Sequence, residues 1–328
     1  MMSVPYSHLI FNFIPWYSFL IVLGASVAIL LAVHEEKRIR FGKDTVIDFS
    51  LIVLPCGIIG ARFYYVLFSW DQFRDDPLSV FRIWEGGIAI YGAVIAGLIA
   101  AWLFCRKRRI SFLTLCDLIA PGLVLAQAIG RWGNYFNQEA YGLPVENPLL
   151  CFFPFAVQIQ SGSGLEWHMA TFFYESVCDL LIFIFLLVAR RKLFRFHGDV
   201  ISFYAILYAC CRLVIEDFRM DSLYASSSIR ISQLLSVLIC CAILIRYCLL
   251  FRRQGRRISP VCICLVSMAL FFNAAMVLWM TGLVPFPFSE VFRRFLVLFF
   301  CGVVNAAALF VLYCRNAEGE VIYADVQG

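Results

Sequence analysis

Nine apolar runs leave this chain few folds to choose from. They lie near residues 14–33, 47–68, 86–104, 112–131, 172–189, 199–217, 229–250, 261–283 and 295–313, and a helix needs about 20 apolar residues to cross the hydrocarbon of a bilayer. Backbone groups in lipid must be satisfied within their own segment, so runs of this length read as helices. The expected fold class is an all-α polytopic membrane helix bundle. Composition agrees, since 62% of the 328 residues are hydrophobic and only 15% charged, whereas about a quarter of a soluble domain is charged. The net charge of +5 sits between the runs rather than on one soluble face, which argues against a nucleic-acid partner.

The basic residues between the runs give an orientation. EEKRIRFGK follows the first run, RKRR the third, RRKLFR the fifth and RRQGRR the seventh, and loops rich in Lys and Arg stay on the cytoplasmic side. The expectation is a multi-pass membrane protein, amino terminus outside and carboxyl terminus cytoplasmic. Residues 1–13 hold no Lys or Arg and no small-residue cleavage site follows, so the first run reads as a retained span rather than a signal peptide. The other basic residues are all arginines, at 62, 74, 82, 131, 212, 219, 230, 293 and 294. They fall on the side the rule disfavours, and each needs a local reason, either an anion or an internal ion pair. Nearly all of the fourteen cysteines lie in apolar runs, where Cys acts as a small hydrophobe, so neither a disulfide framework nor a metal site follows.

Three parts are expected: a membrane core over 1–257 with about seven spans, an external cap near 143–170 between spans four and five, and an extension over 258–328 with two more. The cap segment holds Pro144, Pro148 and Pro154, a Gly/Ser cluster at 162–164, and Phe152, Phe153, Phe155 and Trp167, which favours a folded cap over a slack linker. In the extension the few polar side chains, Asn273 and Asn305, read as packing.

Polar chemistry gathers in a few places. In Ala126–Gly142, AQAIGRWGNYFNQEAYG, an apolar helix passes straight into Arg131, Asn134, Asn137, Gln138 and Glu139. An arginine at mid-span costs about 2.5–3.5 kcal/mol on insertion scales, so it must face protein, water or a polar ligand. On a helix, 131, 134 and 138 share a face and suit an anionic group. In the sixth run Tyr208, Arg212, Glu216 and Arg219 step along one face, either as a structural Arg212–Glu216 pair or as the other half of the same pocket. GGIAIYGAVIAG, 86–97, strips side chains from a helix around Tyr91, which suits close helix packing or a lipid headgroup. Arg62 in GARFYY has a carboxylate or a phosphate as candidate partner, Trp16-Tyr17 and Tyr64-Tyr65 suit the interfacial aromatic belt, and Glu175 in HMATFFYES requires a cation. A path for an anionic lipid or metabolite would need polar residues at several depths, but here they crowd one half of the membrane. A non-catalytic scaffold would place no chemical demand on these clusters.

These residues resemble the prolipoprotein diacylglyceryl transferase family. GRWGNYFNQEAYG, 130–142, is similar to the family signature at each fixed position, and WYSFLIVLG at 16–24, GARFYYVLF, WEGGIAIYG, TFFYES and RLVIEDFR follow in family order to about residue 250. The resemblance implies an enzyme that moves the diacylglyceryl group of phosphatidylglycerol onto the lipobox cysteine of a prolipoprotein, forming a thioether and releasing glycerol phosphate, with neither metal nor cofactor. It implies catalytic roles for Arg131, Arg212, Glu216, Glu139 and Tyr91. Substrate binding falls to Arg131, Asn134, Asn137, Gly142, Tyr17, Arg62 and Tyr208. Tyr91 stands where the family has a histidine, so Glu216, Glu139 and Tyr91 all remain candidates to take the thiol proton.

Overall fold

The protein is described from a computed structural model, which covers residues 8–10, 13–161, 164–223, 229–281 and 291–317. The side chains of Glu85, Ser161 and 291–293 lie outside that description. So do the first seven residues, positions 162 and 163 of the Gly/Ser cluster, the Arg293 side chain and the end of the extension.

Each apolar run forms a helix: α1 Trp16–Ile39, α2 Thr45–Phe68, α3 Ile90–Arg108, α4 Phe112–Asn137, α5 Thr171–Lys192, α6 Asp199–Phe218, α7 Ile231–Arg253, α8 Pro260–Met280 and α9 Val291–Asn316. Eight of them are long and apolar enough to cross a membrane, and the chain is a multi-pass membrane protein. The remaining one is α6, whose twenty residues include Asp199, Arg212, Glu216 and Asp217. Besides short 3-10 turns, two short antiparallel hairpins occur among the described residues: β1 Leu9–Ile10 with β2 Ile14–Pro15, and β3 Ala156–Ser161 with β4 Gly164–Met169.

Among the described residues the chain forms two bodies, one of residues 29–119 and one of those up to 28 together with those from 120 onward. In the first, Ala32, Val46, Phe49, Ala101, Phe104, Leu115 and Leu118 make the core. The helix expected to end near 33 runs on to Ile39 because Glu36 is put to use. Its carboxylate accepts from the backbone N–H of Thr45 at 2.7 Å, capping one of the unpaired donors that open α2. The α2 and α3 backbones meet where Gly92 faces Gly60 and the Cβ of Tyr64, so the glycines of this motif act in helix packing. The motif does not start a helix at 86, however: Gly86 and Gly87 turn with φ of 90° and 71°, and α3 begins four residues later.

In the second body α5 packs on α6, α6 also on α7 and α9, and α8 on α9. Leu213, Val237, Met276, Met280, Leu298 and Cys301 form a core shared by α6 to α9. Asn273 and Asn305 hydrogen-bond each other through both amides, at 2.9 and 3.0 Å, so neither carboxamide faces hydrocarbon unmet. The cap is folded. Val157, Ile159, Ala170 and Phe172 are buried with Trp132, Tyr135, Tyr141 and Phe153 around them, which seats the β3–β4 hairpin on the ends of α4 and α5.

Candidate functional site

Helix α4 is mostly apolar up to Ile129, Asp117 and Gln127 being exceptions, and then presents Arg131 six residues before its end. Its end is abrupt, because Gln138 and Ala140 take positive φ, 52° and 55°, which reverses the chain toward the cap. Gln138 therefore leaves the helical face on which it was expected beside Arg131 and Asn134, and its amide donates instead to the Gln158 carbonyl at 3.4 Å. Asn134 and Asn137 turn to the reversed segment too, donating to Glu139 Oε1 at 3.0 and 3.3 Å. Tyr17 lies against this end of α4. A Cβ on Gly133 would sit 2.7 Å from the Tyr17 ring, Trp16 stacks on Phe136 at 4.7 Å, and Tyr17 is within electrostatic reach of both Glu139 and Arg131.

The centre of the site is Glu175, one turn into α5, with a side chain only 3% exposed. Trp132 fixes its helix opposite α4, donating its indole N–H to Ser176 Oγ at 3.1 Å while Ser176 donates to the Ala128 carbonyl at 2.8 Å. Glu175 Oε2 then lies 2.6 Å from Arg131 Nε. Oε1 accepts from Arg212 and lies 3.7 Å from Arg219 Nη1. Arg212 also donates to Glu216, one turn along α6, and Arg131 donates to the Tyr208 hydroxyl at 3.2 Å. Three guanidinium groups from two helices and a helix end thus gather on one buried carboxylate. Tyr208 contacts Arg131 directly, Arg212 shares Glu175 with it, and Glu216 lies beyond Arg212.

Arg219 follows the last turn of α6 in extended conformation, where Gly142 anchors it. Gly142 pairs with Arg219 in an antiparallel bridge, Leu143 N–H donates to Phe218 O at 3.0 Å, and His168 Nδ1 lies 2.9 Å from the Gly142 carbonyl. A Cβ on Gly142 would come within 2.9 Å of Met169 Cβ and Thr171 Cγ2 and 3.1 Å of Phe218 O. Gly142 is thus where the cap, α5 and the end of α6 close together. Burial works against the Arg219 charge, but its hydrogen bonds to Asp221 and the fields of Glu175 and Glu216 hold its pKa above the usual arginine value.

Two candidates belong to the other body. Arg62 was expected to meet a carboxylate or a phosphate, and its partners are neither: its guanidinium donates to the carbonyls of Val80, Gly86, Gly87, Ser79 and Arg82 at 2.7–3.4 Å and lies 5.0 Å over the Phe73 ring. With all five N–H groups engaged, Arg62 shapes the 77–87 loop and has no donor left for a headgroup. Tyr91 is the second residue of α3, half-buried next to the Gly60–Gly92 contact.

Sequence reasoning gave Glu175 a cationic partner but not the hub, because its three arginines are 37 or more residues distant or on another helix. It missed Asp179 altogether, a buried carboxylate one turn inward whose Oδ2 has no hydrogen-bond partner among the described residues; an Asp after Cys178 in an apolar run was the available signal. Of the candidate carboxylates, Glu175 and Glu216 are buried and arginine-bound, whereas Glu139 is exposed and hydrogen-bonded to amides. Chemically, arginines that share a carboxylate can exchange it for a phosphate of like charge and geometry, and a carboxylate held by neutral amides can accept a proton. All fourteen cysteines are free thiols, and no group of His, Cys, Asp or Glu suited to a metal occurs among the described residues.

A sequence profile of the prolipoprotein diacylglyceryl transferase family matches residues 7–249, ending before α8. Three similar proteins carry the name phosphatidylglycerol–prolipoprotein diacylglyceryl transferase. That of Streptococcus suis (strain 05ZYH33) is 45% identical over 224 residues, 68% of this chain and 83% of its own length. That of Streptococcus equi subsp. equi is 43% identical over 243 residues, covering 74% and 92%. The Oceanobacillus iheyensis protein is 45% identical over 230 residues, covering 68% and 79%.

Proposed function

Because the chain belongs to the prolipoprotein diacylglyceryl transferase family, we propose that it transfers the diacylglyceryl group of phosphatidylglycerol to prolipoproteins at the arginine cluster around Glu175. The protein is a transferase of the membrane, and its two substrates are those in its relatives' names. The observation that carries the site is the convergence of Arg131, Arg212 and Arg219 on one buried carboxylate.

In this reading the phosphate of the donor lipid replaces carboxylate oxygens on Arg131 and Arg212. The acceptor is a lipobox cysteine. Its sulfur bonds to the terminal carbon of the diacylglyceryl group, the bond from that carbon to the phosphate oxygen breaks, and glycerol phosphate leaves with the electron pair. Negative charge grows on the leaving oxygen, where fixed guanidinium groups in a water-poor site stabilise it most. A free thiol has a pKa near 8.5 and attacks as thiolate, so its proton must go to a base. Glu139 suits this best of the three candidates, since Glu216 is bound to Arg212 and Glu139 is open to solvent. Asn134 and Asn137 orient Glu139, Tyr208 orients Arg131, and Tyr17 lines the approach. Tyr91 keeps its candidate catalytic role on the family resemblance alone. Arg62 and Gly142 act through the loops they hold.

The alternation of basic turns supports a cell-membrane protein with its amino terminus outside and carboxyl terminus in the cytoplasm. Donor lipid then enters laterally from the outer leaflet of the bilayer. Residues 258–328 are an addition to a family core over 1–257, since the profile match ends at 249.

The test is direct. Purified protein receives phosphatidylglycerol and a lipobox peptide, and peptide mass is followed. A diacylglyceryl adduct on the cysteine is the expected result; no adduct, under conditions where a relative from the same family forms one, sinks the reading.

A further inference from the structure

Helix α6 carries Tyr208, Arg212 and Glu216, and it is the helix least able to stand in a bilayer alone. Each of its charges must therefore find a protein partner. Arg212 has Glu175 and Glu216. Asp199, at the opposite end, accepts from the Tyr247 hydroxyl at 2.6 Å, from the Tyr313 hydroxyl, and from the backbone N–H groups of Arg195 and Phe196 at 3.0 and 2.8 Å. Asp217 faces Arg230 Nη1 at 2.8 Å and Arg294 Nε at 3.7 Å. Tyr247 and Arg230 belong to α7 or its first cap, but Tyr313 and Arg294 belong to α9, outside the part of the chain that matches the family.

The α9 contacts keep one register. Arg294 meets Asp217, a Cβ built on Gly302 would lie 3.4 Å from Cys210 Cβ, and Tyr313 meets Asp199. Position numbers rise along α9 as they fall along α6, so the two helices run antiparallel over some five turns, about 27 Å at 1.5 Å per residue. Each end is held by an acidic side chain of α6. An apolar recess of about 520 Å³ lies where α5, α6 and α9 meet, lined by Leu181 and Phe185, Phe203 and Leu207, and Ala306 and Phe310. The polar grip of α9 on α6 is at its two ends.

We propose that α9 is a splint for α6, and that Arg294 and Tyr313 are positioning residues that fix the axial setting and rotation of the helix presenting Arg212 and Glu216. Asp217 is the next residue after Glu216, so holding its carboxylate limits the rotation of α6 that would carry Arg212, together with Glu216, away from Glu175 on α5. The effect on turnover rests on the transferase reading; the splint itself does not.

Two measurements on the full chain in phosphatidylglycerol nanodiscs separate them. Backbone hydrogen exchange over 205–219 is compared between wild type and the Arg294→Gln/Tyr313→Phe double variant, and adduct formation on a lipobox peptide is followed in parallel. Exchange in this stretch is expected to quicken while α5 amides keep their rates, and kcat to fall roughly three- to tenfold at unchanged KM for the lipid, the size of a contact coupling. At 3.7 Å the Arg294 contact is Coulombic rather than bidentate, so Arg294→Lys should retain most of the wild-type rate. Arg294→Gln should lose nothing further in an Asp217→Asn background. Unchanged exchange in the double variant overturns the proposal, as does a full additional loss from Arg294→Gln once Asp217 is neutral. Absence of adduct from wild type would fail the transferase reading alone, since the exchange comparison still decides the splint.

Discussion

Arg62 and Arg131 are both arginines carried on helices of a membrane protein, and they are held in opposite ways. The guanidinium of Arg62 is surrounded by five carbonyl oxygens of one loop, partners that carry no net charge and cannot leave without unfolding the loop. Arg131 shares the Glu175 carboxylate with Arg212 and Arg219, a partner that another anion can imitate. A buried arginine saturated by backbone builds structure, whereas arginines that share a carboxylate form a site that can trade partners.

Removing arginines from the shared carboxylate should have the largest effect on chemistry. Arg131→Ala and Arg212→Ala are each expected to slow adduct formation by about 10²–10³, the loss typical of a donor aimed at developing charge, while thermal unfolding shows a folded protein. Retained activity in both would erase the distinction from Arg62. Arg62→Ala should reverse the pattern. It strands several loop carbonyls and should lower unfolding free energy by about 3 kcal/mol, read as a fall in Tm, with turnover per folded molecule within about threefold of wild type. A smaller effect, about 10²-fold on kcat, is expected for Glu139→Gln, the scale of general base catalysis, with KM for the lipid unchanged; a drop in lipid affinity instead would move Glu139 to the binding side. Gly142→Ala is expected to cost about 1–3 kcal/mol of stability by overpacking, measured by denaturant titration, and to slow turnover modestly through Arg219. Smallest of all, Tyr91→Phe should change kcat by less than about tenfold if the proton goes to Glu139, since a group that does not move the proton lacks the full acid–base factor.

The helices were legible because hydrocarbon allows few alternatives: apolar length predicted each of the nine, and only their ends moved. Glu36 extended α1 by a cap made across a turn, and Gly86–Gly87 delayed α3 by a conformation that spacing does not reveal. The β3–β4 hairpin was open to reading, since Val157-Gln158-Ile159-Gln160 and Leu165-Glu166-Trp167-His168-Met169 both alternate apolar and polar residues, but long apolar runs by themselves give only a folded cap without strands there. In the site, Arg131, Tyr208, Arg212 and Glu216 stood out as polar groups where lipid tolerates none. Glu175 was visible by the same logic, but its rank depended on three contacts across helices, which a linear pattern cannot count. Arg62 misled for an instructive reason. Its sequence position signals a buried cation, and nothing in the sequence says whether a carboxylate, a phosphate or a ring of carbonyls will answer it.

The paired amides of Asn273 and Asn305 also constrain how the protein is made. They lie 32 residues apart, so at synthesis rates of about 5–20 residues per second Asn273 emerges some 2–6 seconds before its partner. Until then the α8 carboxamide has the Cys241 thiol, 3.4 Å from its Nδ2, a weak acceptor in place of a matching amide. The two helices therefore have reason to leave the insertion machinery together, as a preformed hairpin. A chain stopped before Asn305 would carry that amide as a mark of incompleteness, open to the proteases that remove orphan spans.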